Sequence, residues 1–249
     1  MLKSSSESHS FSIPYTIRVS RRAKSARLKL SPYDGLIVVV PAGFDRAQVP
    51  ALIESNKKWI EKVQRTFDAH RSDDTARTGR VLPERIELAG IGQSWSITYR
   101  QESFQKPGIQ LCEKGDAEIE LVGAVGNYVL CCEALEEWLK HRAKLHLEAQ
   151  LMSLVSEHGF SISGVSFRKQ RSRWGSCSSK GRISLNLKLL FLPPDLMRYI
   201  MIHELCHTLH MNHSKQFWSA VARFDPNCVE HDRRMKHAWR YVPAWFAMK

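Results

Sequence analysis

The sequence lacks any long apolar run. The longest candidate, Leu36 to Val40, ends at Pro41, whereas a membrane-spanning helix needs roughly 20 apolar residues. The first twelve residues are polar and rich in serine, without the apolar segment and small-residue cleavage site of a secretory signal. We therefore predict a disordered tail over residues 1–12, a cytoplasmic protein and no membrane partner.

Paired cysteine motifs are also absent. No CxxC spacing occurs, which argues against both a disulfide framework and a cysteine-based zinc knuckle. We expect reduced thiols. Cys177 is not expected to be a nucleophile, because no neighbouring base is identifiable and buried cysteine is common. Cys206 is expected to be a core thiol, because its place one residue before His207 points it away from the metal. The cysteines are Cys112, Cys131, Cys132, Cys177, Cys206 and Cys228.

Acidic residues are fewer than basic ones. Lys and Arg number 37 against 25 Asp and Glu, for a formal net charge of +12. The resulting positive field attracts polyanions, so a nucleotide or a nucleic acid is an expected partner of the basic surface. Net charge alone does not separate these partners from acidic membranes or from a merely solvated basic surface.

The first half of the chain predicts strands with one helix. Residues 13–41 alternate as strands do, and the apolar spacing changes to three and four residues after Asp45, a suitable N-cap. A polar linker follows over residues 71–80, and strand-like segments follow it. We therefore predict an antiparallel β unit with one helix, in a β-rich region over residues 13–125.

The second half predicts a domain of helices and strands over residues 126–249. A long amphipathic helix is expected over Glu133 to Glu157. Strands are expected at Ile162 to Phe167 and at Arg182 to Leu187, joined by a basic loop. Pro193 and Pro194 then begin a helix from about Asp195 to His210, and another helix begins near Ser214. The fold class predicted for the whole chain is α+β.

The helix after Pro194 carries the pattern H-E-x-x-H. Histidines four residues apart share a helix face, so His203 and His207 can bind one zinc ion. Glu204 then lies beside the metal-bound water and can take its proton as general base. The alternative is an ordinary helix with two surface histidines, but the apolar flanks of this one favour a buried site.

A catalytic zinc ion needs a third protein ligand. His213 follows the expected helix end, and a turn there can return it to the metal. His210 shares the face of the two histidines but lies about 7–8 Å along the axis from their midpoint. The spacing therefore favours His213 and leaves His210 as the alternative, with Glu230, His231 and Asp232 ranked below both.

Several separate motifs resemble the YgjP-like metallopeptidase domain, a relative of the WLM and SprT-like zincins. They are Arg173-Trp174-Gly175-Ser176-Cys177, Ile183-Ser184-Leu185-Asn186, His203-Glu204-Leu205-Cys206-His207, and Asn212-His213-Ser214 leading to Phe217-Trp218. The resemblance implies a zincin-like catalytic domain with one zinc ion per chain on His203, His207 and His213, and a catalytic Glu204. Residues 71–80 and 112–132 match nothing in that family.

The loop over residues 168–173 holds four basic side chains directly before an aromatic one. Arginine forms bidentate contacts with phosphate or carboxylate, and tryptophan can stack on a base. We therefore expect Arg171, Arg173 and Trp174 to bind substrate. The alternative is a solvated charged hairpin with Trp174 in the core.

These patterns leave three functions to distinguish. The first is a zinc metallohydrolase of the metallopeptidase type, acting on a peptide or an anionic substrate. The second is a nucleoside triphosphate pyrophosphohydrolase that uses the same zinc centre and the basic loop. The third is a nucleic-acid-associated module in which zinc is structural, and it predicts a closed site with four protein ligands.

Overall fold

The computed structural model describes residues 14–31, 35–68, 81–105 and 108–247, without the side chains of residues 31 and 66–68. The predicted tail over residues 1–12 and the linker over residues 71–80 lie outside these residues. Within them the chain forms ten strands and seven helices, which confirms the predicted α+β class. None of those helices is both long enough and apolar enough to cross a bilayer.

The chain divides into two compact units, Met1–Ala76 and Arg77–Ala247. The sequence pattern had predicted the domain boundary between residues 125 and 126. The observed division falls earlier because strands before residue 125 share a core with the helices after it. Ile119, from one of those strands, is buried in the same cluster as Leu139 from the next helix.

The first unit is a three-stranded sheet packed against two helices. Its elements are β1 (Tyr15–Val19), β2 (Arg27–Ser31), β3 (Gly35–Val40), α1 (Val49–Ser55) and α2 (Lys57–Asp68). The strand order is β1-β3-β2, with β1 parallel and β2 antiparallel to β3, so the sheet is mixed and not antiparallel throughout as predicted. The unit has its own core, formed by Leu36, Val38, Val40, Val49, Ile53 and Ile60.

Helix formation in this unit begins where the sequence predicted it. The Asp45 carboxylate accepts a hydrogen bond from the Ala47 amide at 3.0 Å, although it caps a short 3-10 turn that precedes α1. The single helix expected there is interrupted at Asn56. The side-chain amide of Asn56 donates to the Leu52 carbonyl at 2.8 Å, so this residue satisfies the end of α1 before α2 begins.

The second unit begins with a four-stranded sheet and a long helix. The elements are β4 (Arg85–Leu88), β5 (Gln93–Gln101), β6 (Ile109–Lys114), β7 (Glu118–Gly123) and α3 (Tyr128–His158), and the strand order is β4-β5-β7-β6. Helix α3 starts earlier than predicted because Asn127 accepts hydrogen bonds from two amides of its first turn. It ends at Gly159, which takes a left-handed conformation (φ 69°), as the sequence indicated.

A second sheet and four helices complete this unit. They are β8 (Gly164–Arg168), β9 (Gly175–Cys177), β10 (Arg182–Asn186), α4 (Pro194–Cys206), α5 (Lys215–Phe224), α6 (Cys228–Met235) and α7 (Ala244–Ala247). The order β8-β10-β9 leaves β9 at the edge, paired antiparallel with β10. The sequence predicted β8 and β10 but treated β9 as part of the basic loop.

Helix α4 crosses the core of the second unit. Most of its residues are buried, including Ile202 and Leu205 next to the histidine pattern. The helix ends at Cys206, earlier than the predicted His210. The amides of Leu209 and His210 both donate to the Cys206 carbonyl, which closes the last turn and allows the chain to change direction.

Candidate metal centre

Three imidazole rings meet at the end of α4. His203 and His207 lie one helical turn apart, with ring centroids 5.0 Å from each other. The His213 ring lies 5.1 Å from that of His203 and 4.8 Å from that of His207. Each residue offers one nitrogen, and these three atoms all lie within 4.8 Å of one another. The structure therefore brings together the three histidines that the sequence singled out.

His213 reaches the pair because α4 stops early and α5 starts soon afterwards. Ser214 caps α5, since its hydroxyl accepts a hydrogen bond from the Phe217 amide. His213 directly precedes this cap, so the start of α5 determines its position. The ring of Phe217 is fully buried and packs against all three imidazoles.

His210, the alternative third ligand, has a different role. Its ring is not part of the cluster among the described residues. Its backbone carbonyl accepts a hydrogen bond from Nδ1 of His207 at 3.1 Å. A proton held on Nδ1 leaves the Nε2 lone pair of His207 free, the arrangement common for metal-binding histidines.

The lower-ranked candidates lie in a separate hydrogen-bonded network on α6. His231 bonds through Nδ1 to Asp225 at 2.7 Å. Glu230 pairs with Arg233, and the hydroxyl of Tyr199 donates to Asp232 at 3.3 Å. None of the three candidates joins the histidine cluster in the described part of the chain.

The spacing of one pair of rings and the pKa shifts of two of them fit a bound zinc ion. The Nε2 atoms of His203 and His213 are 3.1 Å apart. Two nitrogens bound tetrahedrally to one zinc ion at 2.0–2.1 Å lie about 3.3 Å apart. Burial, and then the neighbouring His207 and His213, lower the pKa of His203 to about 4, so its ring is neutral at pH 7. Burial also lowers the pKa of His207.

Glu204 follows His203 on α4 and is 6% exposed. Burial raises the pKa of its carboxyl to about 8, and the positive charge of Arg173 acts in the opposite direction. The backbone of β9 approaches closely at Gly175. A Cβ atom on Gly175 would lie 2.7 Å from Cγ and 2.8 Å from Oε1 of Glu204. Glycine is therefore required there for β9 to approach the carboxyl.

Two buried polar residues hold the basic loop. The side-chain amide of Asn186 donates to the carbonyls of Gln170 and Arg173, at 2.8 and 2.6 Å. The ammonium of Lys188 donates to Gln170 and Arg171 at 3.1 and 3.5 Å. The loop is therefore attached to the end of β10 and is not a freely solvated hairpin.

Sequence reasoning did not identify Asn186 or Lys188 as part of the site. Asn186 is fully buried and Lys188 is 4% exposed, with its ammonium 4.2 Å from the centre of the Trp239 ring. One signal was available, because Lys188 is a single charge within the apolar stretch Leu187 to Phe191. Buried lysines are rare unless their charge is satisfied.

The three predicted substrate-binding residues occupy different environments. Arg171 and Arg173 are exposed, and Arg173 is close enough to Glu204 to lower the pKa of its carboxyl. Trp174 is half-buried, packs on the core and lies 4.9 Å from the Trp239 ring. Part of the Trp174 ring is therefore used for packing, as the alternative interpretation of this loop expected.

Comparison with known proteins identifies one family. The family model described as YgjP-like, metallopeptidase domain, matches residues 24–238. Among solved structures, the crystal structure of the metallopeptidase zymogen of Pyrococcus abyssi abylysin is 30% identical over 39% of this chain and 98% of that chain, with a TM-score of 0.34. No curated protein matches the chain.

Proposed function

The chain belongs to the YgjP-like metallopeptidase family, and from this premise we propose that it is a zinc-dependent peptidase. In this proposal His203, His207 and His213 bind one zinc ion, and Glu204 is the general base. The observation that carries the proposal is the convergence of three imidazole nitrogens, with the buried carboxyl of Glu204 on the residue after His203. A zinc ion bound there supplies a Lewis acid and increases the acidity of a water molecule.

The donor set supports a catalytic site rather than a structural one. Structural zinc sites are closed by four protein ligands, whereas catalytic sites keep a position for water. In the described part of the chain, the cluster contains three donors from His, Cys, Asp or Glu. The alternative of a nucleic-acid module with structural zinc lacks its fourth ligand among these residues.

Glu204 has the environment of a residue that accepts and returns a proton. A general base works best when its pKa is near the working pH. Burial raises the pKa of this carboxyl to about 8, so its protonated form is easily reached. The positive charges of Arg173 and of a bound metal ion favour the ionised form of Glu204, which is the form that accepts the proton.

Strand β9 supports a peptide as the substrate. It pairs with β10 on one side only, within the described residues, and its first residue contacts Glu204. An extended peptide can add to such an edge through main-chain hydrogen bonds. Arg173 lies two residues before β9 and close enough to Glu204 to lower the pKa of its carboxyl, and we expect it to donate to a carbonyl or carboxylate oxygen of the peptide.

A nucleoside triphosphate pyrophosphohydrolase is the second candidate. It is favoured by the exposed side chains of Arg171 and Arg173, on a loop that is attached to the core. Both candidates require the same metal centre and the same general base. They differ in the substrate that the loop and the β9 edge select.

Glu204→Gln tests the mechanism and a substrate panel tests the choice between candidates. We expect purified protein to contain zinc and to cleave peptides, and Glu204→Gln to keep zinc but lose at least about 100-fold in rate. The matched control is Glu133→Gln, at an exposed position of α3, and it should match the parent protein. Nucleotide hydrolysis that is abolished by Glu204→Gln, without peptide cleavage, would replace the peptidase proposal by the second candidate.

A further inference from the structure

The first unit contains a dense group of basic side chains, more than 170 residues before the histidine cluster in the sequence. Residues 18–29 contain six basic residues and no acidic one: Arg18, Arg21, Arg22, Lys24, Arg27 and Lys29. All six are exposed. Within the described ranges, no carboxylate pairs with any of them. On the helices of the same unit, by contrast, a basic side chain does pair with a carboxylate, since Lys57 forms an ion pair with Glu54.

The strand register places three of these charges on one face of the sheet. Arg18 of β1 and Arg27 of β2 are both cross-strand partners of Val39. Lys29 of β2 is the partner of Ile37 on the same face. Cross-strand partners share a face, and the opposite face of β3 is the one buried against the helices. The charged face is therefore the one turned away from α1 and α2.

The remaining three charges lie at one end of this face. The chain passes from β1 to β2 across the end of β3, since the Ser20 amide donates to the Val40 carbonyl at 2.8 Å. Arg21, Arg22 and Lys24 belong to this crossing segment. The segment therefore lies at the end of β3 next to Val39, the cross-strand partner of Arg18 and Arg27. Six cations next to one another repel, and an external polyanion would remove that cost.

We propose that this face binds nucleic acid through its phosphate backbone. Its outer strands lie about 10 Å apart, at two strand spacings, and carry guanidinium groups that form bidentate bonds with phosphate oxygens. The apolar residues between them, Ile37 and Val39, are half-buried in the central strand. A membrane-inserting surface needs protruding apolar side chains instead. Contacts to phosphate oxygens carry no sequence information, so the proposed binding is independent of sequence.

The test measures binding of the full chain to a short fluorescent duplex DNA over a range of salt concentrations. The test variant combines Arg18→Gln, Arg27→Gln and Lys29→Gln. The matched control removes three charges from the helical side of the same unit, with Arg46→Gln, Lys58→Gln and Arg65→Gln. Both variants carry the same net charge, so a difference between them reports position rather than total charge.

We expect the test variant to bind at least about tenfold more weakly than the control at moderate salt. Each lost phosphate contact lowers the slope of log K against log salt by about 0.9 on duplex DNA, so three contacts lower it by about 2.7. Equal weakening by both triple variants, or absence of DNA binding at low salt, would overturn the proposal. So would binding to vesicles of anionic lipid, with the same dependence on the three residues, if DNA does not bind.

A second variant keeps the test decisive if the strand substitutions disturb folding. Arg21→Gln, Arg22→Gln and Lys24→Gln change only the segment between β1 and β2. Circular dichroism shows which variants are folded. If the strand variant is unfolded, the segment variant decides alone, and it should produce the same decrease in slope. This proposal is independent of the proposed peptidase activity.

Discussion

The candidate metal centre and the basic loop are built in opposite ways. The three histidines fall within eleven consecutive residues, on one helix and the turn after it. The loop over residues 169–174 is held by Asn186 and Lys188, which follow it by more than ten residues and belong to another element. A local geometry therefore assembles the histidine cluster, and non-local contacts hold the basic loop in place.

The position of Glu204 depends on both local and non-local contacts. Its place one residue after His203 is local, but its burial and the approach of Gly175 depend on β9. Substitutions in the two regions should therefore have different effects. Changes in the helix and turn should alter metal binding, whereas changes in the loop should alter activity or stability with the metal retained.

The largest expected effect is loss of the metal from His213→Ala. Removing one of three protein ligands should reduce the zinc content of purified protein to a small fraction, because too few donors remain to compete with water. His210→Ala should keep its zinc, since His210 acts through a backbone carbonyl that alanine also has. Metal analysis of both variants checks this. Full zinc in His213→Ala with loss in His210→Ala would reverse the assignment.

A smaller effect is expected from Gly175→Ala. The added Cβ would lie within 3 Å of the Glu204 side chain, so either β9 or the carboxyl must move. We expect at least tenfold lower activity and a stability loss of about 1–3 kcal/mol, with zinc retained. Gly126→Ala is the control, because open space surrounds that position. Unchanged activity in Gly175→Ala would show that the close approach of β9 is not needed.

The next effect is expected from loss of the loop attachment. Asn186→Ala removes the donor to the carbonyls of Gln170 and Arg173, and a buried polar group without a partner costs about 1–3 kcal/mol. Denaturant unfolding measures this loss, and faster proteolysis within residues 169–174 should accompany it. Lys180→Met, at an exposed turn, is the control. Loss of zinc from Asn186→Ala would contradict the separation of the two regions.

The smallest effect is expected at the start of α4, where Arg234 of α6 pairs with Asp195. Burial raises the pKa of Asp195, but the Arg234 hydrogen bond and the Leu196 amide outweigh it, so the net pKa is lowered. A carboxyl whose pKa is lower in the folded than in the unfolded state stabilises the fold at pH values above its ordinary pKa. This contribution is lost as the pH falls through the lowered pKa.

Arg234→Gln should therefore cost less than about 1 kcal/mol at neutral pH, as partly exposed pairs do. The difference from the parent protein should shrink as the pH falls through the acid range of Asp195. Thermal unfolding at a series of pH values measures it. Metal content and activity should not change, and a large change in either would mean that the α4–α6 contact also supports the centre.

Most elements could be predicted from the sequence, and the misses have identifiable causes. The capping carboxylate of Asp45 and the glycine at the end of α3 are local signals, and both predictions were confirmed. The start of α3 was placed too late because Asn127 was not recognised as its cap. Strand β9 was missed because three residues are too few to show alternation, and it is a strand only by pairing with β10.

The candidate site also has features that local sequence predicts and features that it does not. The spacing of His203, Glu204 and His207 indicates a metal site, because four residues make about one helical turn. The choice between His210 and His213 depended on where α4 ends, and spacing only favoured one answer. The attachment of the basic loop by Asn186 and Lys188 had no periodic signal, since those contacts join different elements.

The sequence by itself determined the class of the fold and the helix that presents two imidazoles beside a carboxylate, because those features depend on neighbouring residues. Only the tertiary structure decided that His213 completes the cluster, that Glu204 is buried against Gly175, and that part of Trp174 is used for packing. The burial of Glu204 against Gly175 and the packing of Trp174 depend on contacts between segments distant in the chain, and the position of His213 depends on where α4 ends and α5 begins. Backbone propensity does not encode such contacts; packing and the pairing of buried polar groups create them.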